Sequence, residues 1–246
     1  MKYIFGLMAC LLLFAQCNPS VNVQPAGSFD TLGIHWMTIE RNHISYYFQG
    51  TGIKGASIYT DMYEGAYEKL DPLFNAKLPQ KLRFFVWTDL VAAEQILGLP
   101  LSFAVGSQCV CHVKMNQSTG HEMTHILSYW SGGTPRETYS RLVSEGVAVA
   151  FDLGGDDKML AAKSVLATQS IHSITDLWSG SYQMAPEEIF YPIAGAFMDF
   201  LYKKQMPGQF NALIKRQTQE DAEDIYGKEQ LSALIAEFNT LAGIKG

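Results

Sequence analysis

Cysteine is scarce in this chain, with four residues among 246. Cys10 and Cys17 lie in the N-terminal segment, so a domain that begins later contains only Cys109 and Cys111. Two cysteines are too few for the disulfide framework that stabilises many small secreted domains. The fold must therefore depend on its hydrophobic core, and 48% hydrophobic residues in a chain of this length can build one of ordinary size.

Clusters of lysine and arginine are missing as well. The 18 basic and 24 acidic residues give a formal net charge of −6 and are spread along the sequence. A surface that follows the phosphates of a nucleic acid needs concentrated positive charge. Nucleic acid is therefore not expected as a partner.

One long apolar run is present, at residues 3–15 after the basic Lys2, and it is short for a bilayer span. Residues 1–17 are therefore predicted to be a signal peptide. The end of this segment, Leu12-Leu13-Phe14-Ala15-Gln16-Cys17, resembles a bacterial lipobox, although Gln16 replaces the usual small residue. We expect an exported protein, either a cell-envelope lipoprotein anchored to the membrane at Cys17 or a secreted or periplasmic protein released by ordinary cleavage.

The remaining sequence is interpreted as a tether, residues 18–33, followed by one domain, residues 34–246. Strand-like patterns occupy residues 36–39, 44–48, 82–87 and 103–115. Helical patterns occupy residues 56–74, 89–97, 119–130, 135–153, 157–168, 187–205, 208–216 and 228–242. The first helix is predicted to bury Ile58, Met62, Ala66, Tyr67, Leu70 and Phe74. Strands first and helices afterwards predict an α+β fold with a small mixed sheet and a mainly helical second half.

The segment His121-Glu122-Met123-Thr124-His125 is an HExxH pattern. Residues four apart share one face of a helix, so both imidazoles can reach the same metal ion. The glutamate after the first histidine can then act as general base toward a metal-bound water. Ser118 or Thr119 is expected to cap this helix, and the glycines at 132–133 are expected to end it.

A third metal ligand is expected downstream, because hydrolytic zinc sites use three protein ligands and keep one position open. Thr134-Pro135-Arg136-Glu137 is a capping box that predicts a helix over residues 135–153. Glu145 lies among the apolar residues of that helix, where a carboxylate is costly unless it is paired. Gly146 beside it indicates that the helix backbone approaches a neighbour closely.

The segment Ser144-Glu145-Gly146-Val147-Ala148, 19 residues after His125, resembles the glutamate-ligand motif of gluzincin metallopeptidases. The arrangement from Trp36 onward is similar to compact bacterial members called minigluzincins. This resemblance implies a zincin-like catalytic domain over residues 34–246, one Zn²⁺ per chain held by His121, His125 and Glu145, and a peptide or protein substrate.

The resemblance also suggests two further parts of the site. Tyr191, in Tyr191-Pro192-Ile193-Ala194-Gly195, is expected to stabilise the oxyanion, with packing at a helix start as the alternative. The segment 103–115 resembles the edge strand that pairs with an extended substrate backbone. The GxMEN loop of aminopeptidase gluzincins does not occur in the sequence, which argues against aminopeptidase activity.

Several weaker features have simple interpretations. Cys109 and Cys111 are expected to be reduced thiols, with a bulged disulfide or a second metal site near His112 as alternatives. His172 is expected to lie in a connecting stretch outside the site. The candidate outer partners of the ligand histidines are Asp152, Asp176 and Asp199. Two other functions remain open: a non-catalytic binding or assembly lipoprotein, and a zinc hydrolase of a non-peptide substrate.

Overall fold

The computed structural model describes residues 27–50 and 54–244. The predicted signal peptide, Cys17 and the first part of the predicted tether lie outside the described residues. Within the described part, no helix combines the length and the apolar character needed to cross a membrane.

A mixed sheet of six strands forms the first layer of the described chain. The strands are β1 (Gly27–Thr31), β2 (Ile34–Glu40), β3 (Ile44–Gln49), β4 (Leu82–Trp87), β5 (Phe103–Val105) and β6 (Val110–Lys114). Their order across the sheet is β1-β2-β3-β4-β6-β5. The pairs β3/β4 and β4/β6 are parallel, and the other neighbours are antiparallel. The strand β5 therefore lies at an edge of the sheet.

The first strand corrects the predicted tether, because residues 27–31 pair with β2. Leu32 and Gly33 connect the two strands and both have a positive φ, 56° and 69°. Such two-residue turns match the twist of a hairpin. Leucine rarely adopts this conformation, so the sequence carried no ordinary hairpin signal at this point. The glycine and serine content of residues 18–33 indicated a linker instead.

Ten α-helices occur in the described residues, with two short 3-10 helices at Gly106–Gln108 and Ser131–Gly133. They are α1 (Ala56–Phe74), α2 (Leu90–Leu97), α3 (His121–Tyr129), α4 (Arg141–Ala150), α5 (Lys158–Leu166), α6 (Thr175–Trp178), α7 (Glu187–Lys203), α8 (Pro207–Lys215), α9 (Gln219–Tyr226) and α10 (Lys228–Ala242). The mixed sheet and the mainly helical second half confirm the α+β prediction. The sequence patterns missed α6 and α9.

The buried face of α1 matches the predicted one at Ala66, Leu70 and Phe74 and differs from it near the start of the helix. Ile58 and Met62 are 76% and 48% exposed, whereas Tyr59 and Tyr63 are buried. The two tyrosine rings stack at 4.4 Å, and the Tyr63 hydroxyl donates a hydrogen bond to the Gln117 carbonyl at 3.3 Å. A tyrosine can bury its ring while its hydroxyl finds a partner, so the apolar spacing wrongly placed Ile58 and Met62 in the core.

The start of α4 also differs from the prediction. Residues 135–140 are not helical, and α4 begins at Arg141. The backbone N–H groups of Glu137 and Thr138 donate hydrogen bonds to the Lys215 carbonyl at the end of α8, at 2.9 and 3.3 Å. The Lys215 ammonium donates in turn to the carbonyl oxygens of residues 134 and 135. These tertiary bonds outweigh the local capping signal, because capping contributes only about 1 kcal/mol.

Helices α4 and α7 approach each other closely through glycine. A Cβ atom added at Gly146 would lie 2.6 Å from Met198 Cγ and 2.7 Å from the Ala194 carbonyl oxygen. The contact is reciprocal, because a Cβ at Gly195 would lie 2.3 Å from Val149 Cγ1. The close approach expected at Gly146 is therefore present. This glycine contact determines where the polar residues of α4 lie relative to those of α7.

The close contact predicts that Gly146→Ala destabilises the fold by about 1–3 kcal/mol, because the new methyl group meets a backbone carbonyl. Gly65→Ala is the matched control, since Gly65 lies within α1 and has no atom within 4 Å of an added Cβ. That control should gain up to about 1 kcal/mol from helix propensity. Urea unfolding of both variants measures the difference, and equal stabilities would contradict the packing argument.

Candidate metal centre

Helix α3 carries the HExxH pattern, and its start differs from the predicted cap. Gly120 precedes the helix with φ 109°, its carbonyl accepts a hydrogen bond from the Thr124 N–H at 2.8 Å, and no side chain caps the helix. The caps expected at Ser118 or Thr119 are therefore wrong. Glycine fits here because the backbone has a positive φ and lies against the buried Leu70 side chain.

Three side chains from α3 and α4 converge at one point. The potential ligand atoms of His121, His125 and Glu145 all lie within 4.8 Å of one another. Glu145 Oε2 is 3.7 Å from His121 Nε2 and 3.4 Å from His125 Nε2. Two ligands held about 2.1 Å from a tetrahedral zinc ion lie about 3.4 Å apart. These residues could hold a metal ion, and both the donor types and their spacing fit zinc.

The charge on Glu145 is stabilised by its two neighbours. Burial acts to raise the pKa of its carboxyl group, but hydrogen bonds and charge from His121 and His125 outweigh burial and hold the pKa far below its usual range. The His125 pKa is raised in return, because the interaction with Glu145 exceeds the effect of its own burial. A carboxylate that is ionised at neutral pH is what metal ligation requires.

Glu122 lies beside this group without belonging to it. Its side chain lines the same cleft and is buried, with 5% of the residue exposed. Burial raises the pKa of its carboxyl group, the two ligand histidines lower it, and the carboxylates of Glu145 and Glu187 raise it further. The net effect is a weaker acid than an ordinary glutamic acid, with a pKa moved toward neutrality.

Tyr191 lies in the same cleft, on the first turns of α7. Its ring stacks near His121, with 5.7 Å between the ring centroids. Burial raises the pKa of the Tyr191 phenol, and the charge of Glu145 and a hydrogen bond to it raise the pKa further. The phenol therefore remains protonated at neutral pH and is available as a hydrogen-bond donor.

The cleft has a volume of about 310 Å³ and lies between the sheet edge and the helices. Its lining comprises Ser102, Phe103, Ala104, Gly106, His121, Glu122, His125, Tyr129, Arg136, Tyr139, Ser144, Glu145 and Tyr191. Residues of and around β5 form one wall. Of the segment 103–115 that was predicted as an edge strand, only β5 lies at the edge, because β6 pairs with both β4 and β5. Tyr129, Arg136 and Tyr139 are additions that the sequence did not indicate.

Ser144 is a polar neighbour of the metal ligands that the sequence analysis missed. Its Oγ lies 3.4 Å from His125 Nδ1, and it accepts a hydrogen bond of 3.3 Å from Arg136 Nη1. When Nε2 of a histidine faces a metal, a partner at Nδ1 fixes its tautomer and ring orientation. Ser144 adjoins Glu145 in the motif, so its position in the sequence was the available signal.

The aspartates considered as outer partners of the candidate ligand histidines, Asp152, Asp176 and Asp199, have other surroundings. Asp176 accepts hydrogen bonds from the backbone N–H groups of His172 and Ser173, and Asp199 forms an ion pair with Lys203 at 2.6 Å. Asp152 lines a separate cavity with Asp199. His172 is exposed and lines another cavity, which agrees with its expected place outside the site.

Cys109 and Cys111 are free and buried, which confirms the prediction of reduced thiols. Burial raises the pKa values of both thiols, so neither is an activated nucleophile. His112 accepts a hydrogen bond from Trp87 Nε1 and stacks on Phe85, and burial lowers its pKa to about 4. Among the described residues, these side chains form no second group of potential metal ligands.

Neither a scan against protein-family models nor a search of curated proteins gave a match to this chain.

The geometry predicts about one zinc ion per purified chain and a loss of most of this zinc in Glu145→Ala, because one of three protein ligands is removed. His172→Ala is the control, since it removes a histidine that lies outside the cleft. Elemental analysis gives the stoichiometry. Removal of zinc by a chelator should also lower the melting temperature of the wild type and leave Glu145→Ala almost unchanged. Equal zinc contents in all three proteins would contradict the assignment.

Proposed function

We propose that this chain is a zinc-dependent metallopeptidase of the gluzincin type with a zincin-like fold. The observation that carries the proposal is the convergence of His121, His125 and Glu145 within 4.8 Å, with Glu122 buried beside them. Two imidazoles and a carboxylate are a donor set of catalytic zinc sites, which keep one further position for water or substrate. One Zn²⁺ per chain is the proposed cofactor.

A bound zinc ion would polarise the substrate carbonyl and make a water molecule acidic enough to lose a proton near neutral pH. Glu122 accepts that proton on its carboxylate and later delivers it to the leaving amine. A general base works best when its pKa lies close to the operating pH, and burial moves the Glu122 pKa in that direction.

Tyr191 is proposed to donate a hydrogen bond to the substrate oxygen as negative charge develops on it. Tyr191 lines the cleft next to His121 and Glu145, and its phenol is protonated at neutral pH like that of an ordinary tyrosine, with a pKa that burial raises further. A donor that is already in position stabilises the transition state without reorganisation, and loss of one such donor costs about 10²–10³ in kcat.

A peptide is the proposed substrate because an edge strand borders the cleft. The strand β5 pairs with β6 on one side, and Phe103 and Ala104 line the cleft. An extended peptide can add to such an edge through backbone hydrogen bonds, a form of recognition that tolerates many side chains. This wall favours a peptide over the alternative of a non-peptide substrate.

The alternative of a non-catalytic binding or assembly protein gives no reason for the buried Glu122. A carboxylate in a site with 5% exposure destabilises a fold unless it is paired or used. Export, and attachment to a membrane through Cys17, remain predictions from the N-terminal sequence.

Glu122→Gln is expected to retain zinc and lose peptide hydrolysis by at least about 10²-fold, because glutamine has nearly the same shape and cannot accept the proton. Glu188→Gln, an exposed change on α7, is the control and should leave activity unchanged. Zinc content by elemental analysis and turnover of a mixed peptide library by mass spectrometry measure both effects. Turnover at the wild-type rate in Glu122→Gln would refute the role of Glu122 as general base, and no turnover by the zinc-loaded wild type would favour the binding-protein alternative.

Tyr191→Phe is expected to lower kcat by about 10²–10³ with a smaller change in KM, because the lost hydrogen bond forms mainly in the transition state. Tyr202→Phe is the matched control, since Tyr202 is a partly exposed tyrosine on the same helix and lies outside the cleft. Zinc contents should be equal in both variants. A kcat for Tyr191→Phe equal to that of its control would leave Tyr191 with a packing role.

A further inference from the structure

Arg136 occupies an unusual position in the cleft. It belongs to the irregular segment before α4, and its guanidinium lies over the rings of Tyr129 and Tyr139, 5.4 and 4.8 Å from their centroids. Aromatic faces attract a cation and hold the planar group in place. The side chain therefore forms a positioned wall of the cleft rather than a mobile surface residue.

The guanidinium of Arg136 lacks an acidic partner. It donates one hydrogen bond, from Nη1 to Ser144 Oγ at 3.3 Å, and no carboxylate of the described residues lies within 4.0 Å. Arg41 shows the usual arrangement of a buried arginine, with hydrogen bonds to Thr60 and an ion pair to Asp61 at 2.7 Å. A guanidinium has five N–H donors, so most of those on Arg136 are free for a ligand.

The charges in the cleft favour an anion near this residue. The lining carries two carboxylates and one guanidinium, a formal charge of −1 that a bound divalent ion would change to +1. Partial burial removes water from the Arg136 guanidinium, which strengthens its attraction for an incoming negative charge. Among anions, a carboxylate matches the planar fork of arginine through two parallel hydrogen bonds.

We propose that Arg136 is a specificity-determining residue that binds a carboxylate of the peptide substrate. This inference rests on the proposed peptidase function and deepens it. Ser144 contacts both Arg136 and His125. A carboxylate bound to Arg136 is therefore separated from a proposed metal ligand by the Ser144 hydroxyl group. Such a carboxylate belongs to a position close to the cleaved bond, either as the C-terminus of the peptide or as an aspartate or glutamate side chain.

A structural role for Arg136 leads to a different expectation. If its only task were to orient Ser144 or to pack between the two tyrosines, its loss would weaken the binding of all peptides equally. A carboxylate-binding role changes the ratio between an acidic peptide and its neutral counterpart. This ratio is therefore the readout.

The test measures binding to the full chain carrying Glu122→Gln and loaded with zinc, so that peptides are not consumed. Four degenerate pools of acetylated hexapeptides are compared by equilibrium dialysis and mass spectrometry. Two pools lack acidic residues and end in a free carboxylate or in an amide. The other two end in an amide and contain one glutamate or one glutamine. The first pair tests the C-terminus, and the second pair tests the side chain.

We expect at least one acidic pool to be retained over its neutral counterpart by about tenfold or more, the usual gain from a charge-assisted pair. Adding Arg136→Gln should reduce the ratio to about one. Arg136→Lys should lower the ratio without abolishing it, because lysine keeps the charge and loses the fork. Arg83→Gln, which removes one positive charge outside the cleft, should leave the ratio unchanged.

Equal retention of acidic and neutral pools, retention of neither, or a ratio that survives Arg136→Gln would overturn the proposal. Zinc content and thermal unfolding show whether Arg136→Gln is folded, and if it is not, an unchanged ratio in Arg136→Lys overturns the proposal. The peptidase function can fail independently of the Arg136 proposal. If the wild type binds acidic peptides through Arg136 but hydrolyses none of them, the peptidase function is wrong and the carboxylate-binding role stands.

Discussion

The partly buried carboxylate of Glu145 is the constraint on which the arrangement of the helical half depends. An ionised group in an apolar helix destabilises the fold unless an opposite charge or a metal compensates it. His121 and His125 supply that compensation from α3, so α3 and α4 must lie with these three side chains in contact. The glycine contact between α4 and α7 then fixes a third helix relative to the first two. Tyr191 enters the cleft as a consequence of this second contact.

The sequence predicted the parts of the site that depend on local periodicity. Residues four apart on a helix share a face whatever surrounds the helix, so HExxH identified both histidines. Glu145 was found because a carboxylate in an apolar helix is uncommon, and Gly146 because glycine in a helix needs a reason. Each of these signals lies within a few residues of the side chain that it identifies.

The parts that the sequence did not predict depend on contacts between distant segments. The capping box at residues 134–137 was overridden by hydrogen bonds to Lys215 at the end of α8. As a consequence, the sequence analysis predicted that Arg136 lies on a helix. Nothing in the sequence indicated that its guanidinium lines the cleft. Ile58 and Met62 of α1 were wrongly predicted to be buried, because the stacking of Tyr59 on Tyr63 is not visible in the apolar spacing. The strand β1 was missed because its turn uses a leucine with a positive φ.

The cleft thus combines two kinds of support. The candidate metal ligands, Glu122 and Tyr191 lie on helices whose positions are set by buried packing, which suits the fixed geometry that the proposed reaction requires. Arg136 and Tyr139 lie on the segment between α3 and α4, which tertiary hydrogen bonds tie to α8. Substitutions in that segment can alter what the cleft binds without moving the helices that hold the metal ligands. Ser144 joins the two parts, since it contacts both Arg136 and His125.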